Sequence, residues 1–323
     1  MADQRRGGIA WTEETLNPIR ARHRATGKVG WYCQRVSEGC KHCYAATMNE
    51  WRGNGVDYTV PALKEVELVL DEKILTAPLR WRRPRRVFLC SMTDLFADFV
   101  PDAWIDRIFA VMALCPQHRF QVLTKRPERM FAYLSAPDVE RRVWTAARLD
   151  PDTHDDLWPL PSVWLGVSVE DQSTGDARIP LLLQTPAAVR WVSYEPALGP
   201  VNFTSVGGWR PLAHAEQHLG LDWLVIGGES GPSARPFDLA WARRAIAQCR
   251  AAGIPVFCKQ LGAFPVYSED GPGEPFGPGI EADEPIVLMP VGTMYHRLKL
   301  KDRKGADWNE WWFEDLRVRE WPQ

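Results

Sequence analysis

The sequence predicts an α/β fold: a TIM-like (βα) barrel, full or partial, with parallel strands and inserted loops. Three observations lead there. Apolar runs of four to six residues alternate with stretches of helical periodicity, the rhythm of parallel strands buried on both faces. About seven such runs recur along the chain. Each ends in a polar or charged residue, as barrel strands do where their C-terminal ends gather on one face. A doubly wound open sheet is the alternative. It would more often place a Gly-rich phosphate-binding turn after the first strand, where this chain carries cysteines.

Taken in order, residues 1–28 read as an irregular arm. Residues 29–33, Val-Gly-Trp-Tyr-Cys, read as a first strand entering a cysteine loop, and 44–51 have helical composition. A further helix is expected over 72–79 and a buried strand over 86–92. Residues 101–115 carry Trp104, Ile105, Ile108, Phe109 and Met112 at helical spacing. Strands follow at 120–125, 163–170, 189–196, 221–226 and 255–260, with helices from Glu128, up to Leu183 and over 238–252. Two insertions, 150–162 and 201–220, interrupt the rhythm. From Gly262 to Val291 the chain is rich in Gly, Pro and acids and reads as a lid. Trp308, Trp311 and Trp312 then mark an ordered cap, because disordered tails seldom carry so many aromatics. The expected division is an arm (1–28), a barrel with its cysteine loop (29–262), and a lid loop with a Trp-rich C-terminal cap (263–323).

Composition narrows the class. With 323 residues, 45% hydrophobic and 25% charged, the chain suits one large α/β domain or two smaller ones. No apolar run approaches the roughly 20 residues of a membrane helix. The opening Met-Ala-Asp-Gln-Arg-Arg-Gly-Gly lacks the apolar core of a signal peptide. A cytoplasmic protein with no membrane partner is expected. Seven cysteines, three of them bunched, do not make a disulfide framework. Cys90, Cys115, Cys249 and Cys258 read as core thiols. The net charge of −2 conceals two basic clusters. Arg80, Arg82, Arg83, Arg85 and Arg86 surround Trp81, while Arg20, Arg22, His23, Arg24 and Lys28 precede the cysteines. Basic residues interleaved with aromatics suit DNA, RNA or a nucleotide, although solvated loops give the same pattern. Most of the 16 tryptophans are expected in the core, with a few left as stacking platforms.

The chemistry centres on Cys33, Cys40 and Cys43. Three thiolates within eleven residues can share one inorganic centre, and Gly39 lets the backbone turn beside the middle one. They leave a fourth ligand position vacant. That fits an iron–sulfur cluster with one open iron, or a zinc completed by His42 or His23. The strand ends add Ser91, Asp94, Lys125, Arg126, Ser168, Glu170, Glu195, Glu229 and Lys259. Any one of these could be an ordinary strand-end ion pair or cap. Together, carboxylates, lysines and thiols on one face point to a site.

The segment Gly39-Cys40-Lys41-His42-Cys43-Tyr44-Ala45 resembles the second half of the motif of the radical S-adenosylmethionine superfamily. The resemblance implies that Cys33, Cys40 and Cys43 hold a [4Fe–4S] cluster whose fourth iron is chelated by S-adenosylmethionine. It implies an electron donor of flavodoxin or ferredoxin type and hydrogen abstraction by a 5′-deoxyadenosyl radical. Ser91, Asp94, Ser168 and Glu195 would contact the cofactor. Lys125, Glu170, Glu229 and Lys259 would handle substrate or protons, with Arg126 beside them. Six residues separate Cys33 from Cys40, where the superfamily usually has three. Ser91-Met92-Thr93-Asp94 stands where that superfamily often has Gly-Gly-Glu.

More closely, the chain resembles a phage- and bacterium-encoded family of three-Cys-motif proteins. The matching segments are the cysteine motif, Ser91-Met92-Thr93-Asp94-Leu95-Phe96, Leu123-Thr124-Lys125-Arg126-Pro127, Gly166-Val167-Ser168-Val169-Glu170, Ser193-Tyr194-Glu195-Pro196, Gly227-Gly228-Glu229-Ser230-Gly231 and Lys259-Gln260-Leu261-Gly262. Spore photoproduct lyase, which repairs a DNA lesion, is the radical enzyme nearest in spirit. The expected substrate is accordingly a nucleobase in nucleic acid or a nucleotide. The alternative is a zinc- or Fe–S-stabilised nucleic-acid-binding protein without radical chemistry.

Overall fold

A computed structural model describes residues 9–150, 157–213, 220–268, 286–287, 294–297 and 314–322. The chain divides into two compact units, Met1–Val167 with Leu181–Arg190, and Ser168–Pro180 with Trp191–Gln323.

The first unit opens with β1 (Glu14–Leu16), β2 (Ile19–His23) and β3 (Val29–Gly30). Helix α1 (Tyr44–Arg52), β4 (Val66–Leu70) and the short α2 (Glu72–Leu75) follow. Then come β5 (Arg86–Leu89), α3 (Asp102–Ala113), β6 (Arg119–Thr124), α4 (Pro127–Leu134), α5 (Val139–Ala147) and β7 (Val163–Ser168). Helix α3 buries Ile105, Ile108, Phe109 and Met112, the expected apolar stripe. Pro127 opens α4, where its missing N–H costs no hydrogen bond. Every residue of β7 is buried, as a strand covered on both faces requires.

One expectation is corrected here. Residues 29–33 are not the first strand of the parallel sheet. Only Val29–Gly30 is extended, and it pairs antiparallel with β2, which pairs antiparallel with β4. The first parallel strand is β1, which lies in the stretch expected to be an irregular arm and pairs with β5 from Glu14↔Val87 to Leu16↔Leu89. Its sequence, Glu-Thr-Leu, buries only Leu16 and carries no periodic signal. The cysteine loop therefore lies within the long connection from β1 to β5, between β3 and β4 of the antiparallel sheet.

The second unit carries most of α6 (Gln172–Gln184), and then β8 (Val189–Tyr194), β9 (Trp223–Gly227), β10 (Phe237–Asp238), α7 (Leu239–Ala251) and β11 (Val256–Gln260). Asp238 caps α7 by accepting from the Ala240 N–H at 2.8 Å. Strands β12 (Pro265–Ser268), β13 (Ile286–Val287) and β14 (Met294–Arg297) join β10 in a small sheet of order β10-β12-β14-β13. The indoles of Trp191 and Trp223 are fully buried with centroids 5.4 Å apart. Near the C-terminus, the Cys258 N–H donates to the Val318 carbonyl and Trp321 packs edge-on to Phe257. Trp308, Trp311, Trp312 and most of the expected lid lie outside the described residues.

Seven parallel strands form the main sheet in the order β1-β5-β6-β7-β8-β9-β11. The order follows the chain without reversal. A doubly wound sheet reverses at its switch point, so the strands here are wound in one direction. All seven cysteines are free thiols, and Cys90, Cys115, Cys249 and Cys258 are buried as expected. No helix among the described residues is long and apolar enough to cross a membrane.

Candidate functional site

The cysteine loop is held at both ends by side chains that fold it onto the first unit. At its entrance, fully buried Asn49 of α1 accepts from the Trp31 N–H at 2.9 Å and donates to the Val56 carbonyl and to Asn54 Oδ1. Asn54 in turn donates to the carbonyls of Ala21 and Trp31. Gly30 makes this possible. A β-carbon there would sit 2.3 Å from the Asn54 nitrogen and 2.4 Å from Asn49 Oδ1. Further along, a 3₁₀ turn over Glu38–Cys40 leads to Cys43, the N-cap residue of α1.

The loop is stitched to the segments that follow β5 and β6. Thr93 Oγ1 donates to the Tyr32 carbonyl, and Tyr58 OH donates to the Met92 carbonyl at 3.0 Å. Tyr44 OH donates to the Ser91 carbonyl at 2.6 Å, and Arg126 donates to the Gln34 carbonyl at 3.1 Å. Asp94 is the hub beneath. Its Oδ1 accepts from Thr124 Oγ1 and the Phe96 N–H, and its Oδ2 from the Lys125 N–H and Arg126. Four donors account for a carboxylate's usual accepting capacity. Asp94 thus positions the loop, a role that its place after the strand did not reveal. Ser91 exchanges hydrogen bonds with Asn17.

Cys33 and Cys43 pack with Trp31 and Ala46 on a buried cluster of Ala45, Tyr58 and Met92. Burial, with help from the Asp94 charge, pushes the Cys33 thiol up to about 12; Arg126 opposes this. Burial also raises the Cys43 thiol, against the pull of the Ala46 and Ala45 N–H groups at the start of α1. These thiols are protonated near neutrality, so a metal would bind by displacing protons. Among the described residues, no three His, Cys, Asp or Glu side chains are grouped so as to hold a metal ion.

The loop nevertheless suits an iron–sulfur group in its chemistry. It offers three soft thiols, and the indole N–H of Trp31, on the same cluster, is buried without an acceptor. A sulfide or thiolate would accept from such a donor.

The remaining expected residues, except Lys125, belong to the second unit. Lys259 Nζ meets Glu195 Oε1 at 2.5 Å, and Gln260 donates to the same oxygen at 3.2 Å. Gly227 leaves room for that carboxylate: a β-carbon there would stand 3.2 Å from Glu195 Cδ. Buried Glu229 is gripped by Arg235 through the backbone N–H, Nε and Nη2 at 2.9, 3.0 and 2.6 Å. Arg178 donates to Glu170 Oε2 at 2.9 Å and to the Ser168 carbonyl at 2.8 Å.

The fold thus joins Glu195 to Lys259, and Ser168 to Glu170 through Arg178. Sequence reading missed Asn49, Asn54, Arg178, Arg235 and Gln260. Only Gly53-Asn54-Gly55, a dense turn signal, and the adjacency of Gln260 to Lys259 gave any hint of them.

No curated protein and no solved structure matches the chain. A family model described as "Protein of unknown function (DUF5131)" matches residues 6–314. That span covers nearly the whole sequence, and the chain belongs to this family.

Proposed function

We propose that this protein is a radical S-adenosylmethionine-type enzyme on a partial TIM-like barrel, acting on a nucleobase in nucleic acid or on a nucleotide. One observation carries the reading. A loop with three thiols is hydrogen-bonded by Thr93, Arg126, Tyr44 and Tyr58 to the segments after β5 and β6, the end of a (βα) sheet where sites are built. The one-directional strand order agrees with a partial barrel.

Cys33, Cys40 and Cys43 would hold a [4Fe–4S] cluster open to S-adenosylmethionine at one iron. Reduced by a flavodoxin- or ferredoxin-type donor, such a group would supply hydrogen-atom abstraction from the substrate. The chain's own residues position and shield. Arg126 and Asp94 hold the loop next to Cys33, and the first N–H groups of α1 favour the thiolate of Cys43. Within the second unit, the Glu195–Lys259 pair, 2.5 Å apart, can hold a proton.

Anaerobically purified protein should be brown and contain about four iron and four sulfide per chain if the cubane is complete. Dithionite with S-adenosylmethionine should then yield 5′-deoxyadenosine. A colourless protein with one zinc per chain would sink the proposal and favour a zinc-stabilised nucleic-acid-binding protein.

A further inference from the structure

The helix that begins at Cys43 leaves an aromatic face exposed. Tyr44, Met48 and Trp51 lie at helical spacing on one side of α1, with 48%, 38% and 81% of their surface accessible. Trp11, Trp144, Trp164, Trp191 and Trp223 are buried, and no described tryptophan other than Trp51 is exposed. Trp51, at 81%, is more exposed than any other large hydrophobic among the described residues, and an indole exposed to this extent contributes nothing to the core.

The charge around it is one-sided. Residues 20–52 contain seven Lys or Arg against two acids, Glu38 and Glu50, a formal +5 in a chain whose net charge is −2. Outside that stretch, Glu67 faces Arg22 at 3.9 Å and Asp57 pairs with Arg35 at 2.7 Å. Arg24, Lys28, Lys41 and Arg52 are exposed and have no acidic partner within 4 Å among the described residues. The end of β3 lies against the residue that caps α1, where a Gly30 β-carbon would stand 2.8 Å from Gly53 Cα. Lys28 and Val29, both exposed, are thus close in the fold to exposed Arg52. Arg20 lies over the Trp31 ring at 4.5 Å, showing how a planar cation and an indole already stack at this edge.

We infer that the Tyr44–Met48–Trp51 face of α1, with Lys41, Arg52 and Lys28, binds single-stranded nucleic acid, its bases stacking on the aromatics and its phosphates meeting the cations. Flat apolar groups carried on a polyanion match this combination, because every base has a stacking face and every phosphate a charge. A base pair in a duplex offers its faces only to its neighbours, so a single strand is the fitting form. The inference rests on the nucleic-acid part of the proposed function and not on the cluster.

The test is fluorescence anisotropy of the full chain as purified, using labelled single-stranded RNA and DNA of one sequence and the matching duplexes. Single strands should bind more tightly than duplex, and the difference between the two single strands identifies the source. Trp51→Ala should weaken binding by about tenfold with an unchanged unfolding midpoint. Lys41→Ala and Arg52→Ala should each lower the slope of log affinity against log salt by about 0.7. Duplex bound as tightly as single strand, or Trp51→Ala binding like the parent, would overturn the inference. So would self-association of the parent that Trp51→Ala abolishes, which would make the face a protein interface. Iron and sulfide content is read on the same preparations, so failure here leaves the cluster reading standing and the reverse also holds.

Discussion

Arg126 and Asp94 form a buried ion pair at 3.0 Å, their side chains 10% and 9% exposed, and the same guanidinium reaches the Gln34 carbonyl at 3.1 Å. One arginine thus joins the end of β6, the segment after β5 and the residue next to Cys33. Removing it strands a carboxylate in the interior. Arg126→Ala should cost about 3–5 kcal/mol in denaturant unfolding. Arg126→Lys should recover only part of that, because an ammonium cannot serve both partners in the same fork geometry. Equal stability of the alanine variant and the parent would show that the pair does not organise the loop.

The Asn49–Asn54 brace makes a second prediction. Gly30→Ala places a methyl group against the Asn54 backbone nitrogen, which cannot rotate away as a side-chain tip could. The variant should lose about 3 kcal/mol or more of stability, as over-packing does at a rigid site. Gly55→Ala, with no atom within 4 Å but a φ of +79°, should lose only about 1 kcal/mol, from backbone strain alone. Thermal unfolding of the two variants side by side separates clash from strain.

In the second unit, Lys259 and Glu195 should behave as one group. Lys259→Met and Glu195→Gln should each destabilise more than an exposed pair would, and the double variant less than their sum. A coupling of about 1 kcal/mol or more is expected from the double-mutant cycle. Gly227→Ala crowds the Glu195 carboxylate without removing a charge, and should weaken that coupling.

Cys40→Ala should abolish iron binding and leave the parallel sheet folded. Cys40 belongs to a 3₁₀ turn of the loop and not to a sheet strand. Iron analysis together with far-UV circular dichroism reads both outcomes. A variant that keeps its iron would remove the loop from consideration as the metal site.

Much of the fold was legible because buried parallel strands write themselves as apolar runs. β7 and β9, buried at every position, were found within a few residues of their ends. β1 was not, because a three-residue strand with one buried side chain has no period to read. The cysteine loop was legible from spacing alone, and so was the chemistry of its donors. Its attachment was not, since Arg126 reaches Gln34 across 92 positions and Thr93 reaches Tyr32 across 61.

The sequence by itself determined the α/β class, the strand rhythm, the core cysteines and the three-thiol loop, all of which depend on local composition and period. Only the tertiary structure decided that the loop sits in the β1–β5 connection and that Asp94 is spent on holding it. It also decided that Glu229 and Glu170 are tied to Arg235 and Arg178, and that Trp51 faces outward while Trp191 and Trp223 are buried. Those facts depend on which distant residues meet, and a pattern confined to neighbouring positions does not carry that information.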